Sequence, residues 1–296
     1  MSIRIDTITR GRFGNKLLQY NSLCQLGNIH NTNVSCCNFN ESKFFKSIKP
    51  VIQNNKPKKL LFCKDIIEHT PLYFNRYSYI IDDPSYCLHN TFFQVTKKNP
   101  RNFLELKQEY KPSMDKDTLY IGIHLRGGDI ISKDGNNGRE IHEFEYYKNS
   151  IHFIMDTFCK NKKYIFAVCT DDKQFISYQK TINYLQNNNI PFTLGKATSN
   201  SRNHYIHDWA LLSECDILIN SSSTFCITAG FLGKQNKIII HSQKWIDKNT
   251  YRLPWNNNTT GKVLSYTIQE FRHTFDTFWI HLNTDQDKFY YYNFLL

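Results

Sequence analysis

The stretch YIGIHLRGGDI, residues 120–130, ends an apolar run with a histidine, an arginine and, after two glycines, an aspartate. Alternation along a strand places His124 and Arg126 on one face, at the strand's carboxyl end. A guanidinium there suits bidentate contact with a pyrophosphate or a carboxylate. The alternative is an ion pair between Arg126 and Asp129 that braces the glycine turn. This stretch therefore predicts an anion contact at the end of a strand.

A second candidate anion site is RGRFGN, residues 10–15. Gly11 and Gly14 allow backbone N–H groups to approach a ligand closely, and the helix predicted to follow presents its positive amino end. The glycine spacing matches neither the phosphate-binding loop nor the dinucleotide fingerprint, so a tight turn is the alternative interpretation.

A third candidate is a run of hydroxyl residues between a predicted strand and a predicted helix. The run comprises Ser221, Ser222, Ser223 and Thr224. Hydroxyl and N–H groups at a helix start suit phosphate oxygens. Serine and threonine are also favoured as helix caps, so a well-capped helix is the alternative.

Carboxylates supply the remaining candidates. Asp134, Glu140 and Glu143 follow the first motif and are candidates for a general base. Asp171 and Asp172 leave another predicted strand and begin a helix, where either is a candidate N-cap.

The elements that must position these residues are clearest from Thr118 onward. Short β-rich runs alternate there with longer segments of helical period, which is typical of βαβ units on a parallel sheet. Ligands of such sheets gather at the carboxyl ends of the strands. The first part also begins with a strand and a helix, but prolines then interrupt the pattern. We predict an α/β protein with two domains, residues 1–117 and 118–296.

Composition limits the functional classes. Hydrophobic residues make up 40% of the 296 residues and aromatic residues 15%, which excludes a disordered chain. The formal charge of +11 favours anionic ligands, although most lysines are scattered, as on a solvated surface. Basic runs interleaved with aromatic residues are lacking, so nucleic acid is not a predicted partner.

The cysteine pattern and the length of the apolar runs indicate the cellular compartment. The nine cysteines form no C-x-x-C and no zinc-type cluster, which predicts thiols in a reducing compartment and no metal. No secretion signal is evident, and no run approaches the ~18 apolar residues of a membrane span. We therefore predict a cytoplasmic protein of bacterial or viral type.

Four motifs, in order, resemble those of the α-1,2-fucosyltransferases of glycosyltransferase family 11. HLRGGD resembles H-x-R-x-G-D, and GRFGNKLLQY resembles the amino-terminal G-x-x-G-N-Q segment. CTDDKQF resembles the S-D-D segment, and HDWALLSECDILINSSSTFCITAGFL resembles the last block. Lys16 stands where glutamine is usual, Gly127 replaces a common second arginine, and residues 224–227 replace an S-F-S-W-W run.

The resemblance implies a GT-B-like pair of Rossmann-type domains facing a central cleft. It implies transfer of L-fucose from GDP-fucose to a sugar hydroxyl with inversion, α-1,2 to galactose, without metal or other cofactor. The partners are then GDP-fucose and a galactose-terminated glycan. Another linkage or another GDP-sugar is the first alternative, and a non-catalytic binder of glycan or nucleic acid is the second.

The resemblance also implies roles for residues. Arg126 would contact the GDP phosphates and His124 the ribose, while Asp208 would hold the guanine edge. The other implied donor contacts are Gly11, Arg12, Phe13, Asn15, Asp129, Asp171, Asp172, Ser221, Ser222, Ser223 and Thr224.

A metal-dependent transferase would instead need a D-x-D sequence on a loop after a core strand. Asp115-Lys116-Asp117 and Asp285-Gln286-Asp287 match in spelling, but neither follows a credible core strand. We interpret both as chance matches.

Overall fold

The computed structural model describes residues 2–8, 11–46, 58–61, 78–81, 103–128, 142–196, 204–221, 223–234, 237–242, 278–283 and 288–291. These residues fall into two compact units, the first within 1–108 and the second within 109–296. The domain boundary placed at residue 117 from the sequence stays a prediction. None of the helices in the described ranges is both long and apolar enough to cross a bilayer.

The first unit contains a parallel sheet beside a long helix. Its elements are β1 (Ser2–Thr7), α1 (Phe13–Ile29), β2 (Asn33–Asn38), a 3-10 turn (Asn40–Phe44), β3 (Lys58–Leu61) and β4 (Ser78–Ile81). The described strands are ordered β2-β1-β4-β3, and every pair is parallel. Helix α1 is buried along most of its length, and polar side chains such as Gln19 and Asn21 are buried beside Leu17 and Leu23.

The second unit alternates strands and helices, as predicted. Its elements are β5 (Thr118–Leu125), α2 (Phe144–Phe158), β6 (Lys163–Thr170), α3 (Ile176–Asn187), β7 (Phe192–Leu194), α4 (His204–Glu214), β8 (Ile217–Ile219), α5 (Thr224–Phe231), β9 (Ile238–Ser242), β10 (Phe278–Asn283) and β11 (Lys288–Tyr291). The predicted α/β class is confirmed.

The strand order of the second unit locates a binding edge. The order is β11-β10-β9-β8-β5-β6-β7, with all pairs parallel except β10 and β11. From β5 the chain moves to β6 on one side and returns at β8 on the other, so the order reverses between β5 and β8. In a doubly wound sheet, ligands bind outside the carboxyl ends of the strands at this switch point.

Strand β5 is the centre of this unit's core. Ile121, Ile123 and Leu125 are fully buried, as expected for a central parallel strand covered on both faces. Gly122 permits close approach of α4, because a Cβ there would lie 2.9 Å from Leu212 Cδ2. The continuous apolar run in the sequence therefore reflects burial on both sides of the sheet.

A buried lysine joins the carboxyl ends of α4 and α5. Lys237 is fully buried, and its Nζ donates to the carbonyls of Leu212 at 2.8 Å, Ser213 at 2.8 Å and Ala229 at 3.2 Å. Burial lowers the pKa of Lys237 to about 8. The ammonium satisfies carbonyls that a helix end leaves without intrahelical donors, and it lies at the negative end of both helix dipoles.

Lys16, which stands where the similar motif has glutamine, has a specific partner in the first unit. Its Nζ lies 2.7 Å from Glu41 Oε1, and the two side chains are only 16% and 8% exposed. A glutamine at position 16 would not neutralise this carboxylate, so the lysine is explained by the buried acid opposite it.

We expect Lys16→Ala to lower the free energy of unfolding by roughly 3 kcal/mol, since it leaves Glu41 buried without its cation. The matched control is Lys46→Ala. Lys46 pairs with Glu105 at 2.6 Å, but those side chains are 44% and 58% exposed, so the loss should stay below about 1 kcal/mol. Urea unfolding followed by circular dichroism measures both, and equal losses would contradict the assignment.

Candidate functional site

Polar residues collect at the carboxyl ends of β5, β6 and β8, beside the switch point. In the register of β5 and β6, His124 pairs with Cys169 and Leu125 with Thr170. Arg126 and Asp171 directly follow these strands and are therefore neighbours. Ser221 lies two residues beyond the end of β8, on the other side of β5.

His124 is a buried and neutral member of this group. Its Nδ1 lies 2.5 Å from Ser221 Oγ, and its ring centroid lies 5.3 Å from that of Phe225, with the planes tilted by 29°. Burial, followed by the charge of Arg126, lowers the pKa of His124 to about 3. The site therefore holds a neutral imidazole beside Arg126 instead of a second cation.

Arg126 is held by a carboxylate from the next strand's loop. Its Nη1 forms an ion pair with Asp171 Oδ2, with side chains 13% and 25% exposed. Asp171 Oδ1 accepts a hydrogen bond from the backbone N–H of Gly127 at 2.9 Å. The pairing with Asp129, considered from the sequence, involves a residue outside the described ranges.

The two glycines after Arg126 permit close contact between these loops. A Cβ on Gly127 would lie 2.7 Å from Phe175 Cβ and 3.1 Å from Asp172 Cβ. Gly128 has a φ of +20°, and a Cβ there would lie 2.6 Å from Asp171 Oδ2. Gly127 stands where the related motif has arginine because this position has no room for a side chain.

Neither Asp171 nor Asp172 caps a helix, so that interpretation was wrong. Helix α3 begins at Ile176 with Phe175 as its N-cap residue. Asp172 instead shapes the loop, since its Oδ1 accepts from the N–H of Gln174 at 2.8 Å. Both aspartates therefore lie in the loop between β6 and α3.

Asp208 lies on α4 and contacts the turn that follows β7. The residue is 3% exposed, and its Oδ1 accepts from the N–H of Lys196 at 2.5 Å. A Cβ on Gly195 would lie 2.7 Å from the same oxygen. The carboxylate thus fixes a loop at the binding edge, and its contact with guanine stays a prediction.

The residues of the hydroxyl run have different roles, since one caps a helix and another contacts His124. Ser223 is the N-cap of α5, and its Oγ accepts from the N–H of Phe225 at 3.3 Å, which confirms the capped-helix alternative for this residue. Thr224 is the first residue of that helix, while the Ser221 hydroxyl contacts His124. Ser222 lies outside the described residues.

The glycine turn of the first unit lies at the amino end of α1. Gly11 has a φ of +81°, and a Cβ there would lie 2.5 Å from Asn15 Nδ2. Arg12 is the exposed N-cap residue, and Phe13 is buried with its ring 6.2 Å from that of Phe44. No acidic residue occupies the first turn, so the positive end of this helix dipole is not offset there.

Of the three predicted bases, only Glu143 lies in the described ranges. It is exposed and directly precedes α2. Asp134 and Glu140 fall outside the described residues, as does the predicted donor contact Asp129. The choice of base stays a prediction.

Aromatic residues that support the site were missed from the sequence. Tyr146 O–H donates to the carbonyls of Asn220 at 2.8 Å and Ile240 at 3.1 Å, which joins the residue after β8 to the middle of β9. Tyr147 is buried, and burial raises its pKa well above the usual range, with Cys226 and Asp171 contributing. The aromatic residues in the first turn of α2, FEYY, were the sequence signal that could have identified these tyrosines.

The D-x-D sequence in the described ranges has a structural role. Asp115 accepts from Lys163 Nζ at 2.7 Å, Thr118 Oγ1 at 2.8 Å and the N–H of Asp117 at 3.1 Å. It lies at the amino end of β5, away from the binding edge. Asp285 and Asp287 fall outside the described residues. Within the described part of the chain, no three His, Cys, Asp or Glu side chains group as metal ligands.

Comparisons with known proteins cover most of the chain. A family model described as glycosyl transferase family 11 matches residues 2–259. Curated proteins gave no match. Among solved structures, a mutant of Arabidopsis thaliana FUT1 in complex with GDP matches with a TM-score of 0.52 and 11% sequence identity. The match covers 80% of this chain and 70% of that chain, and at this identity it shows a shared fold.

His124 should make the second unit sensitive to acid. Between the ordinary histidine pKa of about 6.5 and the lowered pKa of about 3, the unfolded chain binds a proton that the folded chain excludes. The free energy of unfolding should therefore fall with decreasing pH, by about 1.4 kcal/mol per pH unit from this residue. His124→Gln should remove that slope.

Urea unfolding from pH 7 to 5, followed by tryptophan fluorescence, measures the slope. Among the described residues, Trp209 in α4 and Trp279 in β10 belong to the second unit. His152→Gln removes an exposed imidazole from α2 and serves as the control that keeps the slope. An acid slope unaltered by His124→Gln would show that the imidazole is not held neutral.

Proposed function

This chain belongs to glycosyl transferase family 11, as its motifs indicated, and from that premise we propose that it transfers L-fucose from GDP-fucose to a sugar hydroxyl. The transfer inverts the anomeric carbon and forms an α-1,2 linkage to galactose at the end of a glycan. The finer features of this proposal, donor sugar, linkage and acceptor, come from the motif resemblance.

The observation that carries the proposal is the fixed guanidinium of Arg126 at the switch point. It lies at the carboxyl end of the central strand, two residues after a neutral histidine whose ring packs on Phe225 at the amino end of α5. This is the edge where a doubly wound sheet binds nucleotides. The GDP bound to the similarly folded FUT1 supports a guanine nucleotide as the leaving group.

The proposed transfer requires positive charge next to the β-phosphate, which is the leaving group. Breaking the bond between the anomeric carbon and the β-phosphate oxygen builds positive charge on the sugar ring and negative charge on the phosphate. Arg126 and the N–H groups at the start of α5 stabilise the developing phosphate charge most strongly in the transition state. These groups supply the role that a divalent cation has in other transferases, so we propose transfer without a metal.

The neutral state of His124 fits a second task. A neutral imidazole has one donor and one acceptor nitrogen, and it adds no competing charge beside Arg126. We assign it to a ribose hydroxyl, with Ser221 fixing the ring. Asp208 is assigned to the guanine edge, and Asp134, Glu140 or Glu143 to removal of the acceptor proton.

Calorimetric titration with GDP, GDP-fucose, GDP-mannose and UDP, with and without EDTA, tests the donor site. We expect the guanine ligands to bind in EDTA and UDP to bind at least tenfold more weakly. Arg126→Ala should weaken GDP binding by about 100-fold, because a charge-assisted contact to phosphate is lost, and it should abolish transfer.

The control is Lys163→Ala, which removes a cation paired with Asp115 at the opposite end of the sheet and should leave both properties unchanged. Normal turnover by Arg126→Ala would defeat the mechanism. A screen of β-galactosides with linkage analysis of the product then tests the α-1,2 assignment, and fucose on any other hydroxyl would replace it.

A further inference from the structure

Asp171 occupies the point where the loops after β5 and β6 meet. One carboxylate oxygen pairs with Arg126 Nη1, and the other accepts the N–H of Gly127 at 2.9 Å. The bare Cα of Gly128 leaves room for this carboxylate, since a Cβ would lie 2.6 Å from Oδ2. Asp171 thus contacts each of the three residues that follow β5.

We propose that Asp171 is a positioning residue, which holds Arg126 in the orientation that meets the donor's β-phosphate and does not itself bind the donor. The inference rests on the proposed function and deepens it. It separates the aspartate from the donor contacts that the motif resemblance implied.

The geometry explains how a carboxylate can fix this arginine. A guanidinium is a planar fork with five donors, so holding Nη1 sets the plane in which the other donors lie. The carboxylate is itself held by a backbone N–H, which turns a flexible ion pair into a link between two strand ends. Close packing of Gly127 on Phe175 and Asp172 prevents the two loops from shifting independently.

Charge argues against Asp171 as a ligand of the donor's diphosphate, which is the part of the donor that Arg126 meets. An ionised carboxylate only accepts hydrogen bonds, and a diphosphate presents acceptors and negative charge. Direct contact between the two is therefore unfavourable. Asp171 should weaken binding of the anionic nucleotide through its charge and raise turnover through the orientation of Arg126.

These opposed effects give the inference a distinct signature. Asp171→Asn preserves the shape and an oxygen for the Gly127 N–H, but it removes the charge that holds Arg126. We expect the Kd for GDP to stay the same or to fall by up to about tenfold, because a repulsive charge is gone. We expect kcat to fall by about 100-fold, as for a misplaced catalytic group.

The kcat is measured as GDP release from GDP-fucose, with water as acceptor, and as transfer once an acceptor is found. Asp171→Ala, which also removes the Gly127 contact, should lose at least as much turnover. Thermal unfolding of each variant shows whether the second unit remains folded.

The matched control is Asp115→Asn. Asp115 likewise accepts from a cation, Lys163, and from a backbone N–H, that of Asp117. It lies at the opposite end of the same pair of strands. The kcat and the GDP affinity of Asp115→Asn should equal those of the unchanged protein.

Each outcome either supports or overturns the inference. A fall in kcat at unchanged or tighter GDP binding supports the inference. Unchanged kcat in Asp171→Asn would overturn it, and so would GDP binding weakened in step with kcat, which would make Asp171 a donor contact or a purely structural residue. In both of these cases the proposed function would stand. Failure of the unchanged protein to bind GDP would overturn the proposed function and the inference together.

Discussion

The parallel pairing of β5 with β6 and β8 determines where the polar residues of the candidate site lie. Residues that follow paired strands are adjacent in space whatever their separation in the chain. Arg126 and Asp171 meet because Leu125 pairs with Thr170. Ser221 reaches His124 because Ile219 pairs with Ile123 on the other side of β5. The site is thus a consequence of strand register, and the burial of β5 on both faces holds that register.

Two buried polar side chains, Lys237 and Tyr146, stabilise the elements that form this edge of the sheet. Lys237 joins the carboxyl ends of α4 and α5, so the helix that follows the hydroxyl run is fixed at its far end. Tyr146 joins the residue after β8 to the middle of β9 through two carbonyls. Buried polar groups of this kind are costly unless they are satisfied, and when satisfied they specify one arrangement. The contact between His124 and Ser221 requires that the surrounding strands and helices be held in one arrangement.

The sequence was sufficient to predict most of the alternating strands and helices between β5 and β9, but not the short strand β7 or strands β10 and β11. It also predicted that Arg126 and Asp171 follow strands. Its apolar runs and helical periods carry local information, and parallel topology then places the strand ends together. Partners were harder to predict. Asp171 lies 45 positions from Arg126, and a helix cap was the simpler local interpretation of an aspartate after a strand. Lys237 resembled the scattered surface lysines, because burial of a cation is decided by helix ends that converge only in the folded chain.

Charge shows why local geometry matters more than composition here. The chain carries a formal +11, yet the residues that the structure describes at the ends of β5 and β6 add little net charge: His124 is neutral and Asp171 offsets Arg126. A diffuse positive surface would attract any polyanion and would lose this attraction in salt. A guanidinium that is held by a carboxylate, as Arg126 is by Asp171, instead favours a small anion of defined shape. If the proposed function holds, we therefore expect the two fixed loops, and the glycines that let them touch, to contribute more to selectivity for the donor than the net charge does.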